Sequence, residues 1–175
     1  MISKNPGDRL AEEIQKPESP REILSVREMR LLLGLTKGDP AMRAFVVLGG
    51  FAGIRSAEIM RMDWGDVNLG EREIHVRPGV IKKTKGMREC FVAINAACAR
   101  WLPCPGAGKI IPHTLRSFRR RSAKLMVRMQ SVMVRLKVPA ADRWHDWPQN
   151  CLRHSFASYL LAAKQDAGYS DLVSR

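Results

Sequence analysis

Apolar positions along the chain fall into blocks with helical spacing, interrupted once by a stretch that alternates. Ser25 followed by Glu28 is a capping-box pattern and predicts a helix through Leu33. Gly38-Asp39-Pro40 breaks the chain, and Pro40 suits the first turn of the next helix. That helix, Ala41 to about Phe51, is apolar on several faces, which places it in the middle of the core. Gly49, Gly50 and Gly53 lack a leading strand, so they read as close helix packing rather than a phosphate loop. A further helix spans Ser56 to Met62, closed by Trp64-Gly65-Asp66.

The alternating stretch is Glu73-Ile74-His75-Val76-Arg77, the period of a half-buried strand. Lys82-Lys83-Thr84-Lys85-Gly86 is a basic hairpin turn, and Cys90 to Ile94 is the return strand. Asn95 caps a short helix to Trp101, and 103–108 is a loop. From Thr114 onward, Leu115, Phe118, Ser122, Leu125, Met129, Val132 and Leu136 recur every three or four residues. They predict one long amphipathic helix that Pro139 ends. Trp144 to Trp147 is an aromatic loop read as a cover over the last helix. That helix runs from Asn150 to Ala163, with Leu152, Phe156, Tyr159, Leu160 and Ala163 on one side. The predicted class is mainly α with a small antiparallel β-hairpin: a polar leader over 1–22 and one domain over 23–175.

Charge sharpens this picture. The 175 residues carry a formal net charge of +13, which favours a polyanionic partner such as nucleic acid. The excess is concentrated after residue 108, where 13 basic residues face 4 acidic ones. Between His113 and Lys137 there are eight basic residues and no acidic one, and Arg116, Arg120, Lys124 and Arg128 lie opposite the apolar stripe. This face is the expected phosphate-facing surface, and Lys82 of the hairpin is a further candidate for backbone contact. The longest uncharged apolar run, 11 residues from Ala44 to Ile54, is too short to span a bilayer, and no membrane partner is expected. Four scattered cysteines form no CxxC pair, and His75, His113 and His145 share no metal-ligand spacing. No metal site is expected, and the location expected is a reducing cytoplasm, at the nucleoid if the polyanionic partner is DNA.

Two arginines adjoin strongly apolar sequence: Arg55, ending Gly49 to Ile54, and Arg153, in Cys151-Leu152-Arg153-His154-Ser155-Phe156-Ala157. A guanidinium beside a core is costly unless it is paired or binds an anion. Pairing of Arg55 with Glu58 is the plain structural reading. Two such arginines and a lysine hairpin converging on one cleft would make a phosphate site.

These segments resemble the tyrosine recombinase (phage integrase) family. Phe51 to Ile59, followed by Met62 to Leu69, looks like its TGLRxSEL…LxWxDIDL box. Ile74 to Arg77, through Lys83-Thr84-Lys85, to Phe91-Val92-Ala93-Ile94 looks like its lysine hairpin. Leu152 to Tyr159 looks like its HxLRHTFAT box. The resemblance implies cleavage and rejoining of double-stranded DNA through a 3′-phosphotyrosyl link, without a cofactor. By the same resemblance Arg55 and Arg153 would hold the non-bridging phosphate oxygens, supported by Glu58 or Asp66. Lys83, or alternatively Lys85, would protonate the leaving 5′ oxygen.

Departures from the pattern are specific. Asn150 stands where the family has histidine; it can hydrogen-bond phosphate but is no acid or base. His154 reads as helix packing and Tyr159 as core. The family places its nucleophile about thirty residues after the second arginine, whereas here Tyr169 follows Arg153 by 16. Tyr169 is either the nucleophile, with the intervening turn and helix missing, or part of Gly168-Tyr169-Ser170 standing where Gly-His-Ser belongs. The domain therefore reads as incomplete at both ends, without the separate clamping domain family members carry. A partner recombinase, or a second copy, could supply missing pieces on DNA. The alternatives are a non-catalytic DNA-binding remnant of a mobile element and a basic RNA-associated protein.

Overall fold

The computed structural model describes residues 23–80, 89–139 and 150–173, with side chains of the last helix described to Lys164. Six helices and three strands follow in order: α1 (Val26–Leu35), α2 (Pro40–Ala52), α3 (Ser56–Ile59), β1 (Val67–Asn68), β2 (Glu73–Val76), β3 (Cys90–Ala93), α4 (Ala96–Trp101), α5 (Leu115–Arg135) and α6 (Cys151–Val173).

The starts of the helices obey their local chemistry. At α1 the Ser25 N–H donates to Glu28 Oε2 at 2.6 Å, and Glu28 N–H donates to Ser25 Oγ at 3.3 Å, completing the capping box. Asp39 accepts from Met42 N–H at α2, Asn95 from Cys98 N–H at α4, and Thr114 from Ser117 N–H at α5. Helix α2 ends on Gly53, whose φ of 66° is the left-handed conformation glycine adopts without a Cβ penalty.

Helix α2 is the centre of the core. Its residues from Ala44 to Gly50 are all buried, and it packs against α1, α3, α4 and α6. Helix α5 joins through α1 and through an edge-on pair of rings, Phe45 and Phe118, with centroids 4.7 Å apart. The sheet is antiparallel in the order β1-β2-β3, with Ile74 opposite both Val67 and Val92. Ile74 and Val76 face the core, whereas His75 stacks on Phe91 on the other face.

Three expectations need correction. Helix α3 stops at Ile59 rather than Met62, because the chain turns into a 3₁₀ segment, Trp64–Asp66, where Asp66 Oδ2 accepts from the Asp63 N–H at 2.9 Å. Strand β1 was not anticipated, since two residues are too few to show a period. Helix α6 continues ten residues beyond Ala163, and its backbone is helical through Gly168-Tyr169-Ser170, so no turn stands there. On the apolar stripe of α5, Phe118, Leu125 and Met129 are buried, but Leu115 and Leu136 at its two ends are exposed. Along α6, Leu152 is buried whereas Leu160 is exposed. Among the described residues no helix is long and apolar enough to cross a membrane. The aromatic loop Trp144–Trp147 lies outside the described residues.

Candidate active site

The site begins with the glycines of α2. A Cβ on Gly49 would lie 2.9 Å from Leu152 Cβ, and one on Gly53 would lie 2.7 Å from Phe156 Cε1. Leu152 and Phe156 are one turn apart on α6, so two glycines let the backbone of α2 meet one face of that helix. Close approach brings Arg153, between them in sequence, to the end of α2. Its Nη1 donates to the Gly53 carbonyl at 2.8 Å. A cation there also faces the negative end of a 13-residue helix.

Arg55 follows Gly53 by two residues, so the contact places the two predicted arginines at one end of α2. Arg55 Nη1 donates to Glu58 Oε1 at 3.1 Å, and the Arg55 N–H donates to Glu58 Oε2 at 3.2 Å. Glu58 is buried, with 6% of its side chain accessible, while 49% of the Arg55 side chain is accessible. The carboxylate holds the guanidinium from below and leaves its outer edge open. Asp66 does not share this duty: its carboxylate pairs with Arg77, which also reaches Asp63 at 2.8 Å.

A shallow cavity of about 300 Å³ opens beside Arg153, lined by Gly53, Phe156, Ala157, Leu160 and Lys164. Its chemistry is cationic over an apolar floor, which suits a phosphate-bearing ligand rather than a metal. Among the described residues no three His, Cys, Asp or Glu side chains gather as a metal site requires.

Asn150 immediately precedes α6 with φ of 61°, a conformation in which asparagine is enriched, and its carbonyl accepts from His154 N–H at 3.0 Å. Arg116, Arg120, Lys124 and Arg128 are exposed on α5, with no hydrogen-bond or ion-pair partner among the described residues. Lys82, Lys83 and Lys85 lie outside the described residues. The turn after β2 is fixed at Val80, whose carbonyl accepts from both Nε (2.9 Å) and Nη2 of Arg61. Lys109 in turn donates to the Arg61 carbonyl at 2.9 Å. The backbone of Tyr169 lies on α6. At a rise of about 1.5 Å per residue, its 16-residue separation from Arg153 is about 24 Å along the axis.

Sequence reasoning missed Ser155. It is fully buried, its Oγ donates to the Cys151 carbonyl at 2.7 Å, and it accepts from the Leu24 N–H at 2.8 Å. Its signal was a small polar residue in the apolar row Leu152, Ser155, Tyr159. Tyr159 is half-buried, as its core reading implies, and its hydroxyl donates to the Leu24 carbonyl at 2.7 Å. Burial, reinforced by the charge of Glu28, raises the phenol above its ordinary ionisation range.

A mainly helical domain with a three-stranded antiparallel sheet is the fold of tyrosine recombinase catalytic domains. The comparisons agree. The chain is 30% identical over 173 residues to the tyrosine recombinase XerC of Vibrio cholerae serotype O1, covering 89% of this chain and 51% of that one. It is also 30% identical over 129 residues to the uncharacterized protein y4gA of Sinorhizobium fredii, covering 61% of this chain and 67% of that one. Among solved structures it resembles XerA recombinase, with a TM-score of 0.57, 21% identity and coverage of 83% of this chain and 52% of that one. It also resembles the Tn1549 transposon integrase in complex with transposon right end DNA, with a TM-score of 0.59, 18% identity and coverage of 93% and 60%. No protein-family model matches the chain. The chain has the fold of these recombinase domains and is similar in sequence to XerC, and it spans about half the length of the XerC proteins it matches.

Proposed function

We propose that this chain binds double-stranded DNA and acts in strand cleavage and rejoining through a 3′-phosphotyrosyl intermediate. The observation that carries the reading is the contact between Arg153 and the Gly53 carbonyl, which sets both arginines at one end of α2. In this reading the two guanidiniums hold the non-bridging oxygens of the scissile phosphate and stabilise the charge that grows on them in the five-coordinate transition state. Glu58 keeps Arg55 oriented. Lys83, or Lys85, protonates the departing 5′ oxygen, and Asn150 adds a neutral hydrogen bond to phosphate. Lys82 and the α5 residues Arg116, Arg120, Lys124 and Arg128 bind the DNA backbone at a distance from the cut.

The attacking hydroxyl in this reading is that of Tyr169, acting on a second subunit. About 24 Å of helix separates it from Arg153 of its own chain, far beyond the roughly 3 Å at which a nucleophile meets its phosphorus. The helical course of α6 through Tyr169 also favours a second reading, DNA binding without cleavage.

Covalent trapping on nicked duplexes, carrying sequences from the junctions of the encoding locus, tests the proposal. Wild type should give a protein–DNA adduct that Tyr169→Phe does not. Salt-sensitive duplex binding with no adduct supports the second reading. Absence of duplex binding removes both.

A further inference from the structure

We infer that Ser155 and Tyr159 are positioning residues for Arg153: they latch α6 to the backbone of Leu24 and thereby set where the guanidinium lies. The inference rests on the proposed role of Arg153 at phosphate. Leu24 is buried, and both of its backbone polar groups are held by side chains from α6: its N–H by Ser155 Oγ at 2.8 Å, its carbonyl by the Tyr159 hydroxyl at 2.7 Å. Ser155 and Tyr159 are one turn apart, and Ser155 is two residues from Arg153.

The reason a latch is needed lies in the α2–α6 contact. Gly49 and Gly53 present bare backbone to Leu152 and Phe156. Apolar contact is non-directional, and a glycine surface offers few ridges to fix the rotation of the helix lying on it. Hydrogen bonds are directional, and two of them to one residue fix both rotation and axial position. A 20° rotation of α6 displaces a guanidinium about 6 Å from the helix axis by about 2 Å, enough to break its bond to Gly53. Ser155 is also fully buried, so its hydroxyl is retained only because both of its hydrogen-bonding roles are filled.

The latch is tested by the salt dependence of duplex binding, which counts phosphate contacts at about 0.9 in the logarithmic slope for each. Seven proteins are compared: wild type, Arg153→Ala, the pair Ser155→Ala with Tyr159→Phe, the same pair with Arg153→Ala, Ser155→Thr, Arg120→Ala as an outlying cation, and the pair with Arg120→Ala. Thermal unfolding of each fixes the folded fraction at the assay temperature.

The expected result is a slope lowered by about 0.9 in Arg153→Ala and by the same amount in the paired variant. Adding Arg153→Ala to the paired variant then costs nothing more. Ser155→Thr, which keeps the hydroxyl, retains the wild-type slope, and Arg120→Ala remains additive with the pair. A general loss of folding would lower apparent affinity without making Arg153 redundant. The inference is overturned if Arg153→Ala costs the paired variant as much as it costs wild type. It is also overturned if Arg153→Ala leaves the wild-type slope unchanged, since no phosphate contact would then exist to position. Failure of wild type to bind duplex DNA overturns the functional reading itself, a result distinct from both.

Discussion

Gly53 and Phe156 exclude each other's side chains: the aromatic ring fills the space a Cβ on the glycine would need, and φ at the glycine is 66°. Two independent demands therefore meet at one residue. Gly53→Ala should cost about 1–2 kcal/mol for the left-handed backbone and about 1–3 kcal/mol for overpacking. Urea denaturation should show a loss of roughly 2–5 kcal/mol. Duplex binding should weaken as α6 is pushed away with Arg153.

The arginine pair should be separable from bulk charge. Arg55→Ala and Arg153→Ala should each abolish adduct formation. Arg55→Lys should not restore it, because an ammonium cannot supply the fork that bonds Glu58 and phosphate together. Arg120→Ala and Lys124→Ala should lower the salt slope by about 0.9 each and leave cleavage of bound DNA near wild type. Single-turnover cleavage at saturating protein distinguishes the two groups.

The proposed donation of Tyr169 between subunits is tested by a mixing experiment. Arg153→Ala retains Tyr169, and Tyr169→Phe retains the arginine pair. Each should be inactive alone, and an equimolar mixture should form adduct, all of it on the Arg153→Ala protein. Chains of different mass identify the labelled partner on a denaturing gel. An adduct on neither chain would count against nucleophile donation between subunits.

Thiol reactivity should divide the cysteines two and two. Burial pushes Cys98 up to about 11 and Cys151 up to about 12, whereas Cys90 and Cys104 are exposed. At pH 8 an alkylating reagent should modify Cys90 and Cys104 in the native protein and reach the other two only after unfolding. Peptide mass mapping reads this directly. Rapid native labelling of Cys151 would show that the start of α6 opens in solution.

The Asp63 carboxyl is held below its ordinary value of 3.8, chiefly by its hydrogen bond from Arg77 and further by Lys109. A depressed carboxyl contributes stability that is present above its unfolded value and lost as pH falls through the folded one. Asp63→Asn should therefore flatten the stability profile below about pH 4. Chemical denaturation between pH 2 and 6 checks the sign.

Local chemistry made most of the fold legible. Capping residues announced α1 and α4, helical periodicity announced α5, alternation announced β2 and the hairpin turn announced β3, because these signals lie within or beside the elements they govern. Close packing at Gly49 and Gly53 was also readable, as was the pairing of Arg55 with Glu58. What sequence could not show was long-range: Ser155 and Tyr159 meet a residue more than 130 positions away. Arg77 takes Asp66 away from the arginine pair for the same reason. The length of α6 was underestimated because Gly168 looks like a helix stop, and a single glycine costs a helix only about 1 kcal/mol.

The contact between Arg153 and Gly53 also bears on how DNA would be received in the proposed complex. An unrestrained arginine loses up to about 2 kcal/mol of rotational freedom when a ligand immobilises it. Here much of that freedom is already gone, because Nη1 is engaged with a carbonyl of the protein itself. A guanidinium has five N–H donors, and this bond uses one of them. The remaining four can meet phosphate oxygens without first releasing the carbonyl. In the proposed complex the arrival of DNA would therefore require no exchange of partners and no search among rotamers at Arg153, the guanidinium being placed before the phosphate arrives.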